Sequence, residues 1–494
     1  MRIASLVGVA LGGVVACQTA PPTAPPSRPN VIYMLADDLG YRELGAYGQA
    51  KIRTPHLDRM AAEGMKFTQH YSGSPVCAPS RAALLTGRHT GSGVVKDNLE
   101  FGGWGDHEEN GQMPLPRGTF TLARMFQGAG YTTGAIGKWG LGGPGTEGEP
   151  NEHGFDYFFG YMDQKQAHNY YPTHLWRNGQ RVALNNPYFK PHQKLSGAPD
   201  DPASYASFKG QEYSLDVMAD DALRWIREQH GQGKPFFLYL PFTIPHLALQ
   251  VPDSALRQYE GAFDERPYLG DKSYLPHPRP FSAYAAMISQ MDAHIGRVMS
   301  LLRELGIDDR TLVMFSSDNG ATYTGGVDAA FFQSVGELRG LKGSVYEGGI
   351  RVPLIARWPR RIPPGATSDA VTAFWDMLPT FAELIGVRAP AGLDGMSFMP
   401  QLLGAAAAAD RPALYWEYHG LWKGAQAVRL GRWKGVRLGG HDRADASIEL
   451  YDLAADPSES RDVASAHPEV VAKVRAVMRA RTPSPVEGWN FKAW

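Results

Sequence analysis

Four short strand-like runs in this 494-residue chain, most of them apolar, each lead into residues capable of chemistry, and that punctuation constrains the fold more than any other feature. Asn30 to Ala36 reads N-V-I-Y-M-L-A and stops at Asp37-Asp38-Leu39-Gly40. Tyr131 to Ile136 delivers Gly137-Lys138-Trp139-Gly140, and Pro235 to Pro241 leads to Ile244-Pro245-His246. Thr311 to Ser316 is followed by Ser317-Asp318-Asn319-Gly320. An apolar run without alternation is the pattern of a strand covered on both faces, and open α/β sheets bind ligands beyond the carboxyl ends of such strands. Helical signals lie between the runs. Thr54-Pro55 opens a helix with Leu57, Met60 and Ala61 on one face, Thr119 or Thr121 caps a second that ends at Gly128, and Ser214 to His230 forms a third. Ser282 to Leu305 carries Met287, Met291, Ile295, Val298 and Leu302 at helical spacing. The order predicts an α/β fold with one chemical edge.

Ser74 to Arg88 reads S-P-V-C-A-P-S-R-A-A-L-L-T-G-R. The expectation is a turn carrying Cys77, then a helix starting near Pro79, because proline suits a first helical turn. Free N–H groups at a helix N-terminus attract anions, and Arg81 adds a planar cation. A buried, inert cysteine before an ordinary helix is the other reading of the same residues. Further on, Leu338 to Pro353 is Gly-rich and holds Lys342 in a constrained loop, and Gly154 to about Tyr205 reads as a long aromatic loop containing His168-Asn169-Tyr170-Tyr171. Trp104, Tyr170, Tyr171, Trp176 and Trp422 are candidates to stack on sugar faces.

A helix from Phe374 to Ile385 closes the main body, Ala405 to Ala409 forms a hinge, and short strand-like runs after Pro412 precede a helix from His467 to Arg481. The expected organisation is a signal segment over 1–17, a Pro-rich tether over 18–29, a catalytic domain over 30–405 and a small C-terminal subdomain over 406–494. Val14-Val15-Ala16-Cys17 resembles a bacterial lipobox. An exported protein is expected, periplasmic or tethered to the outer membrane, with the membrane touched only through an N-terminal lipid. With 49 basic and 50 acidic residues and no basic run, nothing points to nucleic acid.

The Cys-x-Pro-x-Arg of Cys77, Pro79 and Arg81, extended by L-L-T-G-R, resembles the signature of the type I sulfatases. In that family a formylglycine-generating enzyme oxidises the cysteine. D-Q-x-x-A-H-N-Y-Y-P and L-W-R-N-G look closest to the arylsulfatase A and N-acetylgalactosamine-6-sulfatase branch. The resemblance implies an alkaline-phosphatase-like α/β sandwich: a large mixed, mostly parallel central sheet flanked by helices, plus a small C-terminal α+β subdomain with a short antiparallel sheet. It implies a metal site of Asp37, Asp38, Cys77, Asp318 and Asn319; an oxygen-rich set of this kind favours Ca²⁺, with Mg²⁺ the other hard cation. It further implies that Arg81, Lys138 and Lys342 neutralise developing charge. A hydroxyl of hydrated formylglycine, activated by the metal and Asp318, would attack sulfur in a sulfated carbohydrate or aryl sulfate while His246 protonates the leaving oxygen. One position departs from the pattern: the family's Gly-Lys-Trp-His-Leu-Gly has Gly140 in place of histidine. His168 is the expected substitute, with His89 as a second candidate. Two other readings share these residues. One is a formylglycine-dependent phosphonate monoester or phosphodiester hydrolase, the other a non-catalytic lipoprotein that binds sulfated glycans with Cys77 unmodified.

Overall fold

The computed structural model describes residues 28–406, 411–420 and 423–494. The lipobox with Cys17, nearly all of the tether, part of the hinge and Trp422 lie outside the described residues. Ten strands form the main sheet: β1 (Asn30–Asp37), β2 (Met65–Tyr71), β3 (Thr132–Lys138), β4 (Tyr157–Tyr161), β5 (His174–Arg177), β6 (Gln180–Ala183), β7 (Phe236–Pro245), β8 (Thr311–Ser317), β9 (Arg351–Arg357) and β10 (Ala366–Ala373). Their spatial order is β10-β2-β9-β8-β1-β7-β3-β4-β5-β6. Pairing is parallel for β10–β2, β8–β1, β1–β7, β7–β3 and β3–β4, while β9 runs against both its neighbours and β5 against both of its own. Strands β1, β2, β3, β7 and β8 therefore all end at one edge, which gathers residues from positions 37 to 318 of the chain.

Strand β1 shows why its run is uninterrupted. Ile32, Met34 and Ala36 enter one apolar cluster, under the helices Pro55–Ala62, Ser214–Gln232 and Pro280–Glu304. Val31, Tyr33 and Leu35 enter the other, under Cys77–Thr86, Leu122–Gly128 and Met377–Ile385. Successive side chains of a strand point to opposite faces, so a centre strand of a covered sheet has no polar face to show. Thr121 caps the Leu122 helix, its hydroxyl accepting from Arg124 N at 3.1 Å.

A second sheet is antiparallel: β11 (Leu414–Tyr418), β12 (Ala425–Leu430), β13 (Trp433–Leu438) and β14 (Ile448–Asp452), with the helix Pro468–Arg479 against it. It packs on the main body through a shared cluster that joins Tyr71, Val76 and Ala83 to Trp416, Ala427, Val436 and Tyr451. Two buried ion networks reinforce the seam. Lys434 Nζ lies 2.8 Å from Glu347 and 3.0 Å from Glu459. Glu417 accepts from Lys96 Nζ at 2.8 Å and from Arg481. No helix among the described residues is long and apolar enough to cross a membrane.

Three expectations are corrected. The helix expected to start near Pro79 begins at Cys77, so Cys77 is in the first turn and Pro79 two residues further in. The region from Gly154 to Tyr205 is not one loop: it contains β4, β5 and β6, which form the far edge of the main sheet. Aromatic residues fit a pleated, half-buried surface as readily as a loop, and short edge strands leave little periodicity to read. The strand at 235–241 runs on to Pro245 and delivers His246 directly.

Candidate active site

Beyond the shared edge, Asp37, Asp38, Cys77 and Asp318 each present one ligand atom, all within 4.8 Å of one another and all buried. Asp37 closes β1, and Asp38 turns the chain with a left-handed φ of +66°, a conformation short polar residues such as Asp tolerate. The Asp38 N–H donates to Asp318 Oδ1 at 3.0 Å and Leu39 N to Ser317 Oγ at 2.9 Å, which ties the β1 and β8 ends together.

The Cys77 turn is held from several sides. Asn98 Oδ1 accepts from Ala78 N at 2.9 Å, satisfying one free donor of the helix start. Ser80 Oγ accepts from Gly73 N and donates to the Asp318 carbonyl. Trp416 Nε1 of the second sheet donates to Ser72 O at 2.9 Å. Neither Asn98 nor Ser80 carried a signal in the sequence, because their roles are set by long-range folding.

Three cations thread the acids. Arg81 donates from Nε at 3.0 Å and from a terminal nitrogen at 2.8 Å to Asp318 Oδ2, and the same terminal nitrogen is 3.3 Å from Asp37. Lys138 Nζ lies 2.6 Å from Asp37 Oδ2, and Lys342 Nζ lies 2.7 Å from Asp38 Oδ2 and 3.7 Å from Cys77 Sγ. Cys77 Sγ sits 3.4 Å from Asp37 Oδ1. Burial pushes the Asp37 carboxyl up, but Lys138 and Arg81 outweigh it and hold the group well below the usual carboxylate range. Asp318 is pushed up to about 6 by burial and by Asp37. Burial, Asp318 and Asp37 also push the Cys77 thiol up. As an unmodified thiol it is a poor nucleophile, since the thiolate is the reactive form.

Three carboxylates and three cations balance within the protein alone. A divalent cation added here leaves the pocket positive, as an anionic ester requires. The donor set fits such an ion. Asn319 donates from Nδ2 to Asp38 Oδ1 at 2.8 Å, while its Oδ1 is buried with no partner. A buried acceptor left over among carboxylates matches the oxygen donors a hard cation takes.

His246 Nε2 is 3.7 Å from Asp38 Oδ2, and its Nδ1 is 2.8 Å from Leu247 O. A carbonyl only accepts, so Nδ1 carries the proton and Nε2 is the atom open to exchange. Burial and Lys342 hold this imidazole down at about 4. His168 does reach the site: its ring centroid lies 4.6 Å from that of His246. Its Nδ1 is 3.0 Å from His192 Nε2, and His192 Nδ1 accepts from Tyr274 N at 3.1 Å. The backbone N–H fixes both tautomers: His192 donates from Nε2, and His168 accepts at Nδ1 and carries its proton on Nε2. Trp104 packs against His192, the ring centroids 4.1 Å apart and the planes tilted by 54°.

Two other expectations fail on burial. Tyr170 and Tyr171 are buried and present no face to a sugar. The Tyr170 hydroxyl instead donates to His246 O at 2.6 Å and so positions that backbone. His89 packs between Trp375 and Tyr415 and pairs with Asp394, outside the site. Trp176 is half-buried and donates to Glu109 at 2.6 Å.

The Sulfatase family profile matches residues 29–387, and a profile described as N-sulphoglucosamine sulphohydrolase, C-terminal, matches 341–482. N-acetylgalactosamine-6-sulfatase of Canis lupus familiaris is 32% identical over 424 residues, 83% of this chain and 72% of that protein. Arylsulfatase A of Bos taurus is 31% identical, over 90% of this chain and 85% of that one. Among solved structures, Ps i-CgsB in complex with k-i-k-neocarrahexaose superposes with a TM-score of 0.75 at 26% identity, covering 92% of each chain. The phosphonate monoester hydrolase of Agrobacterium radiobacter shares the fold at a TM-score of 0.62 and 22% identity.

Proposed function

The chain belongs to the sulfatase family, as a type I sulfatase of the alkaline phosphatase superfamily that hydrolyses sulfate esters, and from that premise we propose that it desulfates a carbohydrate through formylglycine made from Cys77. The observation that carries the reading is the convergence of Cys77, three carboxylates and three cations at one buried strand edge. A glycan substrate is supported by the neighbour solved with a neocarrahexaose.

In this proposal Asp37, Asp38, Asp318 and Asn319 hold a calcium ion, which supplies Lewis-acid polarisation of a sulfate oxygen when bound. Formylglycine, once hydrated, supplies the nucleophilic hydroxyl. The remaining work falls to this chain's own side chains. Lys138 and Lys342 bind the sulfate oxygens. Arg81 is fully buried and keeps Asp318 and Asp37 in place. His246 turns its unprotonated Nε2 to the leaving oxygen, with Nδ1–H held by Leu247 O, and gives that oxygen a proton after taking one up at Nε2. His168 stands in for the histidine absent at position 140, as an Nε2–H donor held in that tautomer by His192.

Two measurements test this. In protein co-expressed with a formylglycine-generating enzyme, the tryptic peptide Phe67–Arg81 is expected to lose about 18 Da, as Cβ becomes an aldehyde and the sulfur leaves, whereas the sulfur-centred oxidation steps of cysteine add mass. An intact thiol there removes the mechanism. His168→Ala is expected to lower kcat by about 10²-fold with a smaller change in KM, the size typical of losing one proton-transfer group. Full turnover in that variant would return His168 to a packing role.

A further inference from the structure

A cavity of about 880 Å³ opens at the seam between the two sheets, beside the edge strand β10, and none of the residues placed in the catalytic centre lines it. That volume is toward the upper end for small-ligand sites. Five arginines line it: Arg42, Arg351, Arg411, Arg429 and Arg432. Against them stand two carboxylates, Glu337 and Asp369, both exposed.

Two of the five are matched by acids. Arg432 pairs with Asp452, and Arg411 lies 2.7 Å from Asp376 Oδ2. The other three are not. Among the described residues Arg42 donates only to backbone carbonyls, Tyr47 O and Gly48 O, each at 3.3 Å. That uses two of the five N–H donors a guanidinium carries. Arg429 is 6% exposed and donates to Gly431 O at 3.0 Å, to the Tyr71 hydroxyl and to Gln69 Oε1, all of them neutral. Arg351 donates to Thr68 O at 2.7 Å and stands 3.5 Å from Glu347. Glu347 is already shared, with Lys434 at 2.8 Å and the Tyr71 hydroxyl at 2.6 Å on the same carboxylate. Glu459, the other acid beside Lys434, is pushed up to about 7 by burial. Three cations, Lys434, Arg351 and Arg429, thus gather around one firmly ionised carboxylate. Buried charge without compensation is costly, and planar guanidiniums beside a cavity suit oxyanions.

The walls narrow the ligand class. Tyr41 and Tyr47 line the cavity, and the Arg351 guanidinium lies over the Tyr41 ring at 5.1 Å. Leu338, Phe398 and Leu453 add apolar surface. A bare anion has no use for aromatic and apolar walls, whereas a saccharide presents C–H faces to the rings and its charged substituents to the guanidiniums. We infer that this cavity is a second, non-catalytic site that binds a sulfated saccharide, with Arg42, Arg351 and Arg429 receiving its oxyanions. The choice of sulfate rests on the sulfatase reading above; the surplus of positive charge stands without it.

The test is a calorimetric titration of the full chain carrying Cys77→Ala, so that no turnover occurs, with a heparin hexasaccharide as probe. Adding Arg42→Gln is expected to weaken binding about 10-fold, as for a lost hydrogen bond to a charged group. Arg429→Gln is expected to weaken it at least as much. If that variant folds poorly, because Arg429 is buried in the seam, Arg42→Gln decides alone, since it breaks only contacts to backbone carbonyls. Lys342→Met, in the catalytic centre, is expected to leave the arginine-dependent binding in place. In the formylglycine-bearing enzyme both arginine variants should keep wild-type kcat and KM on a small aryl sulfate. Uncharged maltohexaose is expected not to bind. Sodium sulfate at equal sulfate concentration is expected not to displace the hexasaccharide; if it does, the cavity takes the free anion and the saccharide assignment is overturned. Absence of hexasaccharide binding, or an affinity unchanged by Arg42→Gln, would overturn the inference as a whole. A wild-type enzyme that carries formylglycine but leaves sulfate esters intact would instead overturn the sulfatase reading, and the titration would still report on the cavity.

Discussion

Cys77→Ala is expected to abolish sulfate-ester hydrolysis, by about 10⁴-fold or more, the scale seen when a covalent nucleophile is removed. The fold should survive, because alanine is the best helix former and position 77 is in the first turn of a helix that already runs through three further alanines. The wild-type thiol itself is no rival nucleophile: burial, Asp318 and Asp37 all oppose its ionisation. The expected pattern is a dead enzyme that melts within a few degrees of wild type and still binds calcium. Calcium affinity separates this from general damage to the site, since Asp37, Asp38, Asp318 and Asn319 remain. Residual turnover above about 1% in the variant, on the same rate scale, would mean that another group attacks sulfur.

The largest effect on stability is expected at a residue far from any motif. Lys434 is fully buried in β13, with Glu347 of the main body at 2.8 Å and Glu459 at 3.0 Å. Tyr71, at the end of β2, donates to the same Glu347 carboxylate at 2.6 Å. Burial alone would raise Glu347, but Lys434 and Arg351 hold it down at about 2, whereas burial pushes Glu459 up to about 7. Removing one partner of a buried ion network leaves charge without compensation and costs about 3–5 kcal/mol. Lys434→Met should show that loss as a lower urea midpoint. Its pH dependence follows from the sign of the shifts. Without the ammonium Glu459, already raised to about 7, moves further up and Glu347 loses the first of the cations that hold it down, so folding is least penalised below the unfolded value, near 4.5, and loses stability as pH rises through the folded value of Glu459. The deficit should be larger at pH 8 than at pH 5. A deficit that is flat across that range would show that packing, not charge, accounts for it.

Much of the site could be read from the chain because its residues stand directly after apolar strands. Asp37, Lys138, His246 and Asp318 were marked by their places after strands, their roles came from the resemblance to the type I sulfatases, and the parallel edge brings them together. The parts that escaped are those fixed by tertiary contacts. Strands β5 and β6 are four residues each at the sheet margin, too short to show a period. Tyr170 reads as a sugar-stacking aromatic in one dimension, and only its burial behind His246 shows it to be a support. Gln164, whose Cγ lies 2.7 Å from where a Cβ on Gly140 would stand, differs from these. The glycine at 140 announced a vacancy, but nothing in the sequence said which side chain had moved into it.

The burial of Cys77, at 1% exposure, sets a clock. Its pocket is closed by Asp318 and Lys342, some 240 and 265 residues later in the chain. At ~5–20 residues per second of synthesis, the cysteine emerges roughly 10–50 s before the lid over it has been made. Any enzyme that oxidises Cys77 has that interval in which to meet it as an extended peptide, and a much poorer chance afterwards. Slow elongation between the two landmarks should therefore raise the fraction of active molecules without altering a single residue of the finished protein.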